Sequence, residues 1–150
     1  MSMADSPVQV AFHFNAPDKL DYACRFIRKA VRHDARVTVV APMAQLRQLS
    51  SKLWKYAGHE FLAHALQGDD AELLALAPVA LVEQAQASTH REVLLNLGLD
   101  MPQGFEAFAK VVEVVSSFDD EDRAQARVRW RAYQGAGHAI ERHDLVLKGN

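Results

Sequence analysis

The sequence predicts an α/β sandwich of three layers, in which a mostly parallel central sheet carries helices on both faces. Short runs rich in valine and aromatic residues alternate along the chain with longer segments that are apolar at helical spacing. Three of the runs, 8–14, 35–41 and 110–116, are almost wholly apolar and show no alternation, which is typical of strands buried on both faces. Strands alternating with helices favour parallel strands joined by helical crossovers.

Length and composition indicate one domain. The chain has 150 residues, which we expect to form a disordered lead over 1–7 and a single domain over 8–150. With 17 basic and 19 acidic residues the net charge is −2, which argues against a protein whose whole surface binds nucleic acid. Cys24 is the single cysteine, the first residues do not resemble a signal peptide, and no apolar run approaches a membrane span. A cytoplasmic protein is therefore expected.

The first strand and helix are the clearest elements. Val8 to Phe14 is predicted as a strand, Asn15 as the N-cap of the next helix, and Pro17 and Asp18 as its first turn. Cys24 falls on the apolar face of that helix, so we interpret it as a core residue and not as a nucleophile.

The remaining elements are predicted from the same patterns. Strands are expected over 35–41, over 60–66, around Leu81 and Leu95, and over 110–116. Helices are expected from Pro42 to about Tyr56, where Gly58 ends the segment, over 71–77, in a short piece at FEAFAK, and from about Asp119 to Gln134. The tail from His138 onward fits neither pattern clearly.

Nucleotide binding is the first function that such a fold suggests, because its first strand-to-helix turn commonly holds a pyrophosphate. Here that turn is Asn15-Ala16-Pro17-Asp18. It has no glycine, Pro17 has no backbone N–H to donate, and the carboxylate of Asp18 would repel phosphate. Neither GxGxxG nor GxxxxGK[ST] occurs in the sequence. We therefore expect no phosphate loop and no cofactor. A nucleotide-dependent enzyme with its ligand at the carboxyl ends of the strands remains the rival interpretation.

Catalytic and metal-binding patterns are weak. The sequence contains no GxSxG and no HExxH motif, and the pairs His59/His64 and His138/His143 are five residues apart, which is not the helical spacing of a zinc site. The acidic run Asp119–Asp122 could bind a metal, but its place at a helix start, where negative charge is favoured, is the simpler explanation.

The last helix carries the strongest functional pattern. At 100° per residue one of its faces holds Arg123, Arg127, Trp130, Arg131 and Gln134. Arg129 falls to one side, and Ala124, Val128 and Ala132 form another face that is predicted to pack on the sheet. A solvated helix face would explain the arginines alone. Arginine beside tryptophan also favours an anionic, aromatic ligand, and direct binding of single-stranded DNA by this face is a third interpretation.

Large aromatic residues surround the turn at Gly58. Trp54, Tyr56 and Phe61 either close one end of the core or form an exposed patch for a partner protein. The sequence supports both interpretations equally.

Several segments together resemble a known family. They are FNAPDKLDYACRFIRKA, RVTVVA, LWKYAGHEFLAHAL, LLNLG, FEAFAKVVEVV and DRAQARVRWRAYQGAGHAIERHDL, in order from about Val8 to Leu145. This set resembles the chi subunit of bacterial DNA polymerase III. The resemblance implies a non-catalytic accessory subunit of the clamp-loader assembly. It implies two partners, the psi subunit and the acidic, phenylalanine-terminated tail of single-stranded-DNA-binding protein, and through the second an indirect contact with single-stranded DNA.

The resemblance also implies site residues. The tail-binding positions of the family match Val115, Arg123, Arg127, Trp130 and Arg131 of this sequence, and the psi-facing aromatic positions match Trp54 and Phe61. A family member has tyrosine where Trp130 stands and lysine where Arg123 and Arg131 stand. The helix face identified from residue spacing and the site implied by the resemblance coincide.

Overall fold

The structure, a computed structural model, describes residues 8–56 and 62–146. They form a sheet of seven strands in which all neighbours run parallel, which confirms the predicted class of fold. The elements are β1 (Gln9–Ala16), α1 (Lys19–Arg32), β2 (Val37–Val40), α2 (Met43–Tyr56), β3 (His64–Leu66), α3 (Ala71–Leu76), β4 (Val79–Val82), β5 (Val93–Asn96), β6 (Lys110–Ser116), α4 (Asp120–Gly135) and β7 (Ile140–Asp144), with single 3-10 turns at Ala85–Ala87 and Phe105–Ala107.

The strand order across the sheet is β3-β4-β2-β5-β6-β1-β7. Two apolar clusters lie on opposite faces of this sheet. One packs α1 and α2 against the strands and includes the fully buried Cys24, as predicted. The other packs α4 and the turn at Phe105 against the opposite face, where α3 contributes Leu74. Because the central strands are covered on both sides, β2 and β4 are buried at every position.

The prediction that Asn15 caps the first helix is wrong. β1 continues to Ala16, and the cap is Asp18, whose side chain accepts a hydrogen bond of 3.1 Å from the backbone N–H of Asp21. Asn15 instead has a φ of +67°, and its Nδ2 donates to Oδ1 of Asp144 at 3.0 Å. Asparagine tolerates this left-handed conformation, so Asn15 accommodates the shift in register between β1 and β6 that lies between His13 and Ala16.

The predicted packing face of the last helix is also wrong. Val128 is 53% exposed and Ala124 and Ala132 are exposed, so this face points to solvent. The buried side chains of α4 share a different stripe at positions i, i+4, i+7 and i+11, namely Asp122, Ala126, Arg129 and Tyr133. Two of the four are charged, and for this reason a search for apolar spacing does not find the stripe.

Other boundaries differ by small amounts. The third strand, predicted over 60–66, runs from His64 to Leu66 in the described residues, while Gly58, His59 and Phe61 lie outside them, as does the expected lead over 1–7. The tail that fits neither pattern forms β7, which pairs with β1 at the edge of the sheet. This last strand completes the site described next.

Candidate functional site: a cationic groove beside the last helix

A groove of about 460 Å³ lies between α4 and the adjacent face of the sheet. Its walls come from β1, the end of β6, one side of α4 and β7. Four of the five residues that the family resemblance implies for tail binding line this groove: Val115, Arg123, Arg127 and Trp130. We call it the α4 groove.

The floor of the α4 groove is apolar. Trp130 is half-buried, and its ring centroid lies 5.0 Å from that of Phe12 at an interplanar angle of 59°. Val115, at the end of β6, is buried and lies on the same face of the sheet, and Phe14 extends the floor along β1. Tilted aromatic pairs of this kind pack favourably, so Trp130 has a supported orientation and leaves part of its surface toward the groove.

The rim of the α4 groove is cationic. Arg123 and Arg127 stand on α4 one turn apart, and both are exposed. The Nη1 atom of Arg123 donates to the backbone oxygen of Ser117 at 3.3 Å, which holds this side chain near the end of β6. No carboxylate is among the described residues that line the groove. The space therefore combines guanidinium groups with an aromatic floor, which suits a ligand that is both anionic and apolar.

Arg142 is a further candidate for ligand binding, and no pattern in the sequence predicts it. It lies on β7 directly opposite Phe12 on β1, and its Cζ atom is 5.2 Å from the Phe14 ring centroid and 5.9 Å from that of Trp130. A third guanidinium thus faces the aromatic floor from the sheet side. The strand IERHD holds one apolar residue, Ile140, so no alternation of apolar and polar residues indicates a strand here.

Arg131 does not line the α4 groove. It is exposed, and on a helical wheel it lies roughly 170° from the centre of the buried stripe of α4, so its side chain points straight to solvent. Trp130 and Arg123 lie nearer the sheet, because they flank that stripe. The geometry therefore separates Arg131 from the other four positions implied by the resemblance.

A buried ionic network sets the position of α4. Glu113 on β6 is fully buried and accepts hydrogen bonds from Arg129 Nε at 2.9 Å, from Tyr133 Oη at 2.7 Å and from Asn96 Nδ2 at 3.0 Å. Burial raises the pKa of the Glu113 carboxyl above its ordinary value, while the charge of Arg129 and these donors oppose that rise. Burial and the nearby Glu113 raise the pKa of Tyr133 as well. The network specifies which side of α4 meets the sheet.

The acidic start of α4 has a structural explanation. Asp119 caps the helix by accepting from the backbone N–H of Asp122 at 3.1 Å. Asp122 is itself buried, with its Oδ1 2.9 Å from Lys19 Nζ and its Oδ2 accepting from the backbone N–H of Ser116 at 2.8 Å. These bonds hold the first turn of α4 against the end of β6 and the start of α1, next to Val115.

The second predicted surface is described only in part. Trp54 on α2 is 62% exposed, and its ring centroid lies 5.3 Å from that of His64 on β3. This exposure agrees with the partner interpretation and not with a core role. Phe61 lies outside the described residues. The two predicted partner surfaces stand on different elements, Trp54 on α2 and the α4 groove on the opposite face of the sheet.

The turn after β1 differs from a phosphate-binding turn in its geometry as well as its composition. The Asp18 carboxylate already occupies the backbone N–H of Asp21 at the start of α1, and this is where a phosphate is held in nucleotide-binding relatives of the fold. The fold and the α4 groove together define an α/β protein whose candidate site is a cationic, aromatic groove that includes Asn15 of this turn but not the N-terminus of α1.

Comparisons with known proteins identify the family. The sequence model of the family "DNA polymerase III chi subunit, HolC" matches residues 8–141. The chain is 35% identical over 128 residues to the DNA polymerase III subunit chi of Pseudomonas aeruginosa, covering 85% of this chain and 87% of that protein. The chain therefore belongs to the family of DNA polymerase III chi subunits, and the resemblance noted from the sequence is confirmed. Among the described residues, no helix is long and apolar enough to cross a membrane.

Proposed function

We propose that this chain is a non-catalytic accessory subunit that links the clamp loader of DNA polymerase III to single-stranded-DNA-binding protein. In this proposal the α4 groove holds the acidic C-terminal tail of that protein during replication, in the cytoplasm. The observation that carries the proposal is the juxtaposition of Arg123, Arg127 and Arg142 with the aromatic floor at Trp130. A peptide that ends in phenylalanine presents a ring and a carboxylate at the same residue, and the groove offers a partner for each.

The mode of binding follows from the two halves of the groove. The terminal ring lies on the apolar floor between Trp130 and Val115, where burial of its surface contributes most of the non-polar free energy. Arg127 forks onto a carboxylate of the tail, and such charge-assisted bonds contribute about 1.5–3 kcal/mol at a partly desolvated site. Arg123 lies one turn away and meets the next acidic residue. Arg131 points to solvent and contributes only long-range attraction.

Modest affinity is expected of such a site. Few side chains carry the binding, the tail is ordered only when it binds, and the ion pairs lie near solvent and are screened by salt. DNA coated with single-stranded-DNA-binding protein presents many tails, and this multivalency raises the effective concentration for a subunit tethered to the polymerase.

Calorimetry with a short acidic peptide ending in phenylalanine tests the proposal. Arg127→Ala should weaken binding roughly tenfold or more, and omission of the terminal phenylalanine should have a similar effect. Arg131→Ala is the matched control, because it removes the same charge from the same helix outside the groove, and it should change affinity about twofold or less. Equal affinities of wild type and Arg127→Ala would contradict the proposal. Thermal shift by ATP or NAD, with none by the peptide, would favour a nucleotide-dependent enzyme.

A second partner surface is part of the proposal. We assign Trp54 and Phe61, the two positions that the family resemblance implies, to the surface for a psi-like subunit of the clamp loader. The exposure of Trp54 supports this assignment, because tryptophan is enriched among the residues that dominate protein interfaces. Trp54→Ala should abolish co-purification with that subunit and leave tail-peptide binding unchanged. If Trp54→Ala still co-purified with the subunit, Trp54 would not be part of the interface.

A further inference from the structure

A second groove lies on the opposite face of the sheet from the α4 groove. It has a volume of about 630 Å³ and runs along α1, over the part of β1 and β7 beside that helix. Side chains alternate along β1, so Phe12 and Phe14 face the α4 groove while His13 faces this one. We call it the α1 groove, and we propose that it binds single-stranded DNA directly. This site is independent of tail binding.

Positive charge lines the α1 groove. Arg25 and Lys29 are exposed on α1 one turn apart, and Lys110 stands at the start of β6. His33, just after the helix, also lines the space. Among the described residues no carboxylate lines it. Glu141 lies 3.4 Å from His143 Nε2, and its carboxylate is largely exposed. The protein has a net charge of −2, so this local excess of cations is not a consequence of overall composition.

Aromatic rings form the floor of the α1 groove. The His13 ring centroid lies 4.5 Å from that of His143, 5.8 Å from that of Tyr22 and 5.9 Å from that of Phe26. Tyr22 Oη and His13 Nδ1 are 2.5 Å apart, which fixes two of these rings relative to each other. His13 and Tyr22 are buried beneath the floor, while Phe26 and His143 are only partly buried and leave ring surface toward the groove. Stacking of bases on aromatic side chains beside a cationic track is the usual mode of single-strand binding.

The shape of the α1 groove fits a linear ligand. The length of the groove can be measured along β1. Lys110, at one end of the lining, lies beside Gln9, and Leu145, at the other end, lies beside Phe14, to whose backbone oxygen its N–H donates. The two ends are therefore five residues of β1 apart. At about 3.3 Å per residue this is a length of roughly 17 Å.

An acidic peptide would satisfy the cations but leave most of the aromatic floor unused. Single-stranded nucleic acid supplies a phosphate and a stacking face at every residue, and it therefore matches both features. The membership of this chain in a family of DNA polymerase subunits makes DNA the relevant polymer.

Fluorescence anisotropy of a labelled oligothymidylate with the full chain tests the proposal. The double variant Arg25→Glu/Lys29→Glu should weaken binding at least tenfold, because it reverses the charge of two side chains that face the bound DNA in this proposal. Two controls, Arg127→Glu in the α4 groove and Arg47→Glu on the exposed face of α2, should retain wild-type affinity within about twofold, both singly and combined in a double variant that matches the change in net charge. All four side chains are exposed, so the fold should survive, and circular dichroism checks this.

The dependence of affinity on salt concentration separates the contribution of phosphate contacts from that of base stacking. Each phosphate contact to single-stranded DNA contributes about −0.7 to the slope of log affinity against log salt, so about three contacts give a slope near −2. Lys29→Ala should reduce that slope by about 0.7. Phe26→Ala should weaken binding and leave the slope unchanged, because stacking releases no counterions. If Phe26→Ala fails to fold, Phe26→Leu keeps the apolar volume and removes the stacking face.

Three results would overturn the proposal. One is no measurable binding of oligothymidylate at low salt. Another is loss of binding in Arg127→Glu with none in Arg25→Glu/Lys29→Glu, which would place DNA in the α4 groove. The third is a loss of affinity for an acidic peptide, and not for the oligonucleotide, in the α1-groove variant. Tail-peptide binding by the same variant should be normal, so failure here is distinguishable from failure of the tail-binding proposal.

Discussion

The guanidinium of Arg142 lies over the indole of Trp130, with Cζ 5.9 Å from the ring centroid. One residue comes from the edge strand of the sheet and the other from the helix that precedes it, so their contact closes the α4 groove on the side of the sheet. Arg142 also covers Phe14 at 5.2 Å. A cation above two rings fixes the aromatic floor and adds positive charge where a carboxylate of a ligand would lie.

Arg142→Ala should therefore weaken binding of an acidic, phenylalanine-terminated peptide. Cation–π and ion-pair contributions of about 0.5–2 kcal/mol correspond to a loss of roughly two- to thirtyfold in affinity. Arg142→Lys, which keeps the charge but not the planar group, should retain part of the affinity. Calorimetry of wild type and both variants measures this. If Arg142→Ala bound the peptide as tightly as wild type, β7 would not contribute to the binding site.

The buried Glu113 should dominate the stability of the α4 packing. Glu113→Ala leaves Arg129 buried without its carboxylate, and breaking a buried pair in this way costs about 3–5 kcal/mol in free energy of unfolding. Tyr133→Phe removes only one hydrogen bond to the same carboxylate and should cost about 1–2 kcal/mol. Urea denaturation followed by circular dichroism compares the two. Equal costs would mean that Arg129 finds another partner when Glu113 is absent.

Cys24 makes stability depend on pH in the alkaline range. Burial raises the pKa of its thiol from about 9 to about 11 in the folded chain. The thiol ionises more readily when unfolded, so its contribution is fully present below about pH 9 and is lost as pH rises toward 11. Two pKa units set an upper limit of about 2.7 kcal/mol. The free energy of unfolding should therefore fall less steeply between pH 9 and 11 for Cys24→Ala than for wild type, which urea titrations at each pH would measure.

The same burial predicts slow chemical modification. Iodoacetamide at pH 8 should label Cys24 far more slowly in the native chain than in urea, because a fully buried, protonated thiol is a poor nucleophile. Mass spectrometry of timed samples measures the two rates. Comparable rates would show that α1 opens readily from the sheet.

Asp18, and not Asn15, should carry the cap of α1. Asp18→Ala removes the acceptor for the Asp21 N–H and should lower the free energy of unfolding by about 0.5–2 kcal/mol. Asp18→Asn keeps a capping oxygen and is the matched control, with a much smaller expected loss. Thermal or urea denaturation distinguishes them. A similar loss in both variants would mean that the charge of Asp18, and not its hydrogen bond, is what matters.

The sequence by itself determined the class of fold, the order of most elements and the importance of the last helix. These depend on local patterns: apolar runs at β2 and β6, helical spacing in α1, and arginine beside Trp130. Each pattern is visible within one segment, because a strand must bury one or both of its faces and a helix must bury one side, whatever their positions in the fold. The position of Arg127 and Trp130 in a common groove follows from the same helical spacing.

Only the tertiary structure decided which side of α4 meets the sheet, and that β7 completes the site. The first depends on Glu113, which attracts Arg129 and Tyr133 inward from another element, so that a charged stripe is buried where apolar spacing suggested a different face. The second depends on the pairing of β7 with β1, which places Arg142 opposite Phe12. The α1 groove likewise joins residues of α1, β1, β6 and β7. Contacts between distant segments leave no local period in a sequence, because each partner satisfies the other only after the chain has folded.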